Sequence, residues 1–116
     1  MEVFYLKIAK EIGSTWFNVD TWLQAIKAMP NPFVYLVVDN PRMLSYAKEK
    51  FDFRNIPHEV ITSQRDSVEL QTIMKPISQR WYGAGYAHLT TFLHARDHGF
   101  DNFWNMFLVM PNVGSR

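Results

Sequence analysis

The run Phe33-Val34-Tyr35-Leu36-Val37-Val38 constrains this chain more than any other stretch. Six consecutive apolar residues cannot alternate between a wet face and a dry one, so a strand built from them is buried on both sides. Pro32 precedes the run and Asp39-Asn40-Pro41 follows it, and these turn and breaker residues hold it to strand length. A strand of this kind needs paired neighbours and a layer over each face, which is the setting of a central strand in an α/β sheet.

The flanking segments supply those layers. Val3 to Ala9 is apolar, β-branched or aromatic apart from Lys7 and reads as another buried strand, followed by a polar loop from Lys10 to Asn18 that contains Gly13, Ser14 and Thr15. Val19, Trp22, Leu23, Ile26 and Met29 recur at helical spacing until Pro30 and Pro32 stop the pattern. Pro41 suits the first turn of a second helix carrying Met43, Leu44, Ala47 and Phe51. His58 to Thr62 reads as a short strand, and Ser67 to Met74 as a helical turn or two before Pro76. Gln79 to His98 is the longest helical segment, with Tyr82, Tyr86, Leu89 and Leu93 along one stripe and Gly99 as its stop. Asn102 to Met110 is a fourth apolar strand, closed by Pro111.

Strands are thus expected near residues 3–9, 33–38, 57–62 and 102–110, interleaved with helices. That order predicts one α/β domain over residues 1–116: a Rossmann-like, parallel or mostly parallel sheet of about four strands, with helices on both faces joined by right-handed crossovers. A length of 116 residues suits one core.

Composition matters mainly for what it excludes. Twelve basic and eleven acidic residues give a formal charge of +1 with no long run of either sign, so no nucleic-acid partner is expected. The longest apolar runs fall far short of the ~20 residues of a membrane-spanning helix. The absence of cysteine excludes disulfide and thiolate chemistry and makes a cytoplasmic home the expectation.

In doubly wound sheets, ligands bind at the carboxyl ends of the strands, near the point where strand order reverses. The positions to watch are therefore 10–15, Asp39 with Asn40, and Thr62 to Asp66. Asp39 is the richest of them: its carboxylate can accept hydrogen bonds from a ribose or a base, or it can cap the next helix. Gly83-Ala84-Gly85 is too short for a phosphate loop and sits before the long helix, where close packing accounts for it. His94 and His98 lie one helical turn apart and can share a metal in principle. Position 95 is Ala, so the Glu of the metalloprotease pattern is missing, and a solvated helix end accounts for both. Arg80, Arg96 and the Trp81-Tyr82 pair can bind an anion, stack on a base or simply pack at the surface. No metal site, cofactor or catalytic set is assigned.

The segment from Val3 to Asn105 resembles the N-terminal, nucleotide-binding half of a GT-A type glycosyltransferase. The likeness is carried by the apolar strand ending in Asp39-Asn40, and by Gly83, Ala87, Gly99 and Phe103-Trp104-Asn105 in the later helix and strand. It implies a nucleotide-diphosphate sugar as ligand, with Asp39 and Asn40 at the nucleoside, Thr62 and Asp66 in the adjacent pocket wall, and His88 at a helix position often held by Arg. Met106-Phe107-Leu108 stand where the family's D-x-D aspartates would hold a divalent cation, and those side chains offer no oxygen ligand. The expected function is a nucleotide-sugar-binding, glycosyltransferase-like domain, truncated or catalytically incomplete. The alternatives are a non-catalytic interaction or scaffold domain, homo-oligomeric through exposed aromatics, and a small enzyme using His58 or His88.

Overall fold

A computed structural model describes residues 1–8, 19–39, 45 and 55–107 of the chain. Four strands form one all-parallel sheet: β1 (Glu2–Ile8), β2 (Pro32–Val38), β3 (His58–Thr62) and β4 (Trp104–Phe107), in the spatial order β3-β2-β1-β4. Helices α1 (Val19–Ala28), α2 (Val68–Met74) and α3 (Tyr82–Asp97) lie between them in sequence, with a 3₁₀ turn at Gln79–Trp81 just before α3. The architecture is the α/β, Rossmann-like sheet that the alternation of elements predicts.

The apolar run of β2 pairs on both sides. Tyr35 stands opposite Tyr5 of β1 and Glu59 of β3, and positions 34 to 38 are all buried. One face of the sheet presents Val3, Tyr5, Tyr35 and Val37 to Ala87 and Ala95 of α3, with Phe33, Ile61, Phe100 and Phe103 around the rim. The small alanines let α3 approach the sheet closely enough for the Tyr5 and Tyr35 rings to stack at 5.1 Å beneath it. The other face presents Phe4, Leu6, Val34, Leu36 and Val38, all buried as well. In α1, Leu23 and Ile26 are buried.

Helix α3 is packed on two sides, which its sequence stripe does not convey. Tyr86, with Tyr82, Leu89 and Leu93 beside it, meets Leu70 and Met74 of α2. Ala87, Thr90, Thr91 and Ala95 are buried as well, with Ala87 and Ala95 against the sheet. The termini follow local rules. Ser67 caps α2 by accepting from the Leu70 N–H at 3.3 Å. Gly99, at φ 69°, closes α3: its N–H donates to the Arg96 carbonyl at 3.2 Å, and the Phe100 N–H to the Ala95 carbonyl at 2.9 Å. This Schellman arrangement needs the left-handed residue that glycine supplies, and it drops Phe100 into the core.

Three expectations are adjusted. The long helix begins at Tyr82, because residues 79–81 form a 3₁₀ turn. The fourth strand starts at Trp104 where Asn102 was expected, since residues 101 and 102 are still bending out of the helix cap. His94 is not on a solvated helix end, because it turns inward against Tyr5 and Tyr35. The loop at 10–18, the helix after Pro41 apart from helical Ser45, and residues 108–110 of the fourth strand lie outside the described residues. Among the described residues no helix is long and apolar enough to cross a membrane.

Candidate functional site

The chain moves one way from β1 through β2 to β3 and then crosses back over the sheet to lay β4 on the far side of β1. Strand order therefore reverses between β1 and β4, and the carboxyl ends of those strands border the crevice such folds use for ligands. Helix α3 runs from that end of the sheet toward the other. His88 stands near Lys7 at the carboxyl end of β1, while His94 reaches Tyr5, two residues earlier.

Lys7 is the unexpected member of the site. It lies on the α3 side of the central strand and is only 1% exposed, a rare position for an ammonium. Its Nζ donates to Asn105 Oδ1 on β4 and lies 3.3 Å from His88 Nδ1 on α3. To accept from a lysine ammonium, Nδ1 must carry no proton, which places the His88 proton on Nε2. Burial pulls the Lys7 amine down to about 8, because a low-dielectric setting disfavours the charged form. Burial and then the neighbouring Lys7 charge lower His88 as well. Among the described residues, the His88 and Asn105 side chains that touch the amine are exposed at the surface.

A second cluster occupies the ends of β2 and β3. Asp39 follows β2 and accepts from Arg65 Nε at 2.9 Å and from Nη2 at 2.8 Å, the two-point geometry of a guanidinium fork. The Arg65 guanidinium lies 5.1 Å from the centre of the Tyr86 ring. The bonds to Asp39 raise the Arg65 pKa further above its ordinary value. The loop that carries Arg65 is pinned from two directions. The Gln64 N–H donates to Thr90 Oγ1 of α3 at 2.8 Å, and Gln71 Nε2 of α2 donates to the Arg65 carbonyl at 2.7 Å. Ser63 Oγ is buried and, among the described residues, has no hydrogen-bond partner.

Of the residues singled out from sequence, Asp39, Thr62 and Asp66 fall on this β2–β3 side, with Thr62 and Asp66 exposed. His88 belongs with Lys7 on the β1–β4 side. Tyr86 and His88, two residues apart on α3, point in different directions and divide the two clusters between them. Asn40 lies outside the described residues. His58 begins β3 and so stands at the opposite, amino end of the sheet, its Nδ1 2.9 Å from the Ile56 carbonyl oxygen. Sequence reasoning missed Lys7 and Arg65. The available signal for Lys7 was a charge inside an otherwise apolar strand, and Arg65 lay within the loop already marked.

Two hollows adjoin these clusters. One, of about 260 Å³, is lined by Ile61, Gln64, Thr90, Leu93, His94 and Asp97. The other, of about 380 Å³, is an apolar groove between α2 and the start of α3, with Met74 as its floor and His88 as its one titratable lining residue. Gly85 admits that floor, since a Cβ there would come within 2.5 Å of Met74 Cε. The His94 and His98 rings stack 3.9 Å apart, and Tyr5 Oη lies 2.6 Å from His94 Nδ1. Among the described residues no three His, Cys, Asp or Glu side chains converge on a metal position. Arg80 and Trp81 pack on each other at the exposed surface. No protein-family model, curated protein or solved structure matches the chain.

Proposed function

We propose that this chain binds a nucleotide-diphosphate sugar at the carboxyl edge of its sheet. The observation that carries the reading is Asp39, at the end of the buried strand β2, with its carboxylate held two-point by an arginine that also lies over Tyr86. A ribose diol can donate to the Asp39 carboxylate while the Arg65 fork turns to a phosphate, which matches its geometry equally well. Thr62 and Asp66 stand on the nucleoside side, and His88 stands across α3 toward the sugar. No carboxylate stands at positions 106–108, so transfer assisted by a metal at those positions is not part of this function. A cytoplasmic setting belongs to the same proposal, on the strength of the cysteine-free composition.

Thermal shift against a panel of nucleotides and nucleotide sugars tests the reading, because a ligand that binds only the folded form raises Tm. Asp39→Asn and Arg65→Gln should each abolish the rise while leaving the unliganded Tm nearly unchanged. No rise with any nucleotide sinks the proposal.

A second reading, association of copies, is favoured by the apolar side chains that α2, α3 and the turn between them leave at the surface. Val68 is 75%, Trp81 55%, Ile73 50% and Phe92 46% exposed, and patches of this kind mark interaction sites. Sedimentation across a hundredfold concentration range tests it, with a constant monomer mass as the contrary result.

A further inference from the structure

Two of the three small residues in Gly83-Ala84-Gly85 line the apolar groove between α2 and α3. Ile73 and Ile77 face them, Met74 forms the floor, and His88 is the one titratable side chain among the described lining residues. We propose that this groove binds an uncharged small molecule with a hydrocarbon body and one hydrogen-bond acceptor, which takes the N–H of His88. The proposal does not rest on the nucleotide reading, which concerns the β2–β3 cluster. It competes with association of copies for the exposed rim at Ile73 and Trp81.

The shape of the groove follows from its residues. A Cβ at position 85 would come within 2.5 Å of Met74 Cε and 2.8 Å of its sulfur, so glycine is what lets the thioether lie against α3 as a floor. Methionine's unbranched, polarizable end adapts to whatever rests on it. The volume of about 380 Å³ is within the ordinary range of small-molecule pockets. Trp81 is 55%, Ile73 50% and Ile77 40% exposed. An apolar body laid between them removes hydrocarbon from water that folding alone leaves wet.

Charge decides the class of ligand. Among the described residues no Lys, Arg, Asp or Glu lines the groove, so a charged ligand would lose hydration against its wall and gain no counter-ion. One directional polar group remains. His88 Nδ1 is turned to Lys7 Nζ at 3.3 Å, and with that nitrogen accepting from the ammonium the ring proton sits on Nε2. Among the described residues no hydrogen bond takes up Nε2. A ketone, ester or amide oxygen at one end of the ligand supplies the missing acceptor, and the Lys7 amine stays where it is.

The test titrates the whole chain, isotope-labelled at its Ile and Met methyl groups, with hexyl methyl ketone and, separately, with octanoate at pH 7. The expected result is a saturable NMR shift at Met74, Ile73 and Ile77 with the ketone, and none at Ile26 or Ile61, which stand outside the groove. Octanoate should bind at least about tenfold more weakly. Ala84→Phe, which fills the groove from one wall, should abolish the shifts with Tm retained. His88→Phe should weaken the ketone several-fold and leave toluene, which carries no acceptor oxygen, unchanged. No saturable shift up to the solubility of the ketone would overturn the proposal. Equal binding of octanoate would overturn the uncharged class, and equal losses for ketone and toluene in His88→Phe would overturn the role of the histidine N–H. The same methyl shifts on raising protein concentration alone would overturn it in favour of a second copy in the groove.

Discussion

Replacing Lys7 with methionine should make this protein more stable at neutral pH, which is the opposite of what removing a hydrogen-bonded charge usually does. The folded state holds the Lys7 amine at about 8, against an ordinary 10.5 in the unfolded chain. A depressed lysine pKa means that folding disfavours the ammonium, so the stability cost is greatest where both states are charged, below pH 8, and is relieved as pH rises toward 10.5. The gap of about 2.5 corresponds to an upper bound of ~3.4 kcal/mol at pH 7. About 2 kcal/mol of that is recovered by pH 9.5. Above pH 10 the sign reverses for other groups, since burial raises Tyr5 and Tyr35, and tyrosines that ionise only when unfolded draw the equilibrium toward the unfolded state. Methionine keeps most of the stem volume and carries no charge. Among the described residues, Asn105 and His88 lose this contact, are exposed and can turn to water. Urea denaturation at pH 7 and pH 9.5 should therefore show wild-type stability rising by 1–2 kcal/mol, with Lys7→Met more stable at pH 7 and flat over the interval. A variant destabilised at both pH values, with the wild-type slope retained, would show that the Lys7 ammonium is well solvated or paired and that the argument from burial is wrong.

Three further outcomes follow from single contacts. Thr90→Val should cost about 1–3 kcal/mol in urea denaturation, because it strips the acceptor from the Gln64 N–H and buries a methyl in its place. Acid should destabilise the protein as pH falls below 6.5: burial and then His98 lower His94, and His88 is lowered too, so the unfolded chain takes up those protons first. His94→Gln should flatten part of that decline in Tm measured from pH 7 to pH 5. If nucleotide sugar binds, Mn²⁺ or Mg²⁺ should change its calorimetric Kd little, because positions 106–108 carry Met, Phe and Leu; a tenfold gain, about 1.4 kcal/mol, would reveal a cation site built from other carboxylates.

The elements that sequence conveys best are those whose burial is uniform. Positions 33 to 38 read as a central strand because both faces are apolar, and β2 is indeed paired on both edges. Gly99 reads as a helix stop because a left-handed residue is needed there, and its φ of 69° bears that out. Helix α3 was legible in extent but not in packing. The stripe Tyr82, Tyr86, Leu89, Leu93 marks only the side against α2, and the other buried positions, Thr90, Thr91 and the sheet-facing Ala87 and Ala95, are small or polar residues that no periodicity of large apolar side chains reveals. Close approach to a sheet already filled with tyrosine rings selects those small residues. A pattern search weighted by hydrophobicity passes over them.

The candidate positions could be named from the order of strands and their contacts could not, for a physical reason that Lys7 makes plain. A sequence tells which residues follow the carboxyl ends of the strands, and Asp39 and the 62–66 loop follow β2 and β3 in that way. Whether a charged side chain at such an end is solvated, paired or buried depends on which helix crosses above it and at what register, and that is set by contacts 81 and 98 residues away, at His88 and Asn105. The same holds for Asp39, whose partner Arg65 lies 26 residues along the chain. A lone charge in an apolar strand is itself a signal, however. Ammonium groups are rarely enclosed without cost, so a lysine one residue from the end of β1 marks a strand that opens to water there, an enclosed amine held by polar partners, or one kept neutral by burial. With Lys7 only 1% exposed, the first of these does not describe the fold, and the pH dependence of stability in wild type and Lys7→Met separates an amine held charged by its contacts from one kept neutral by its burial.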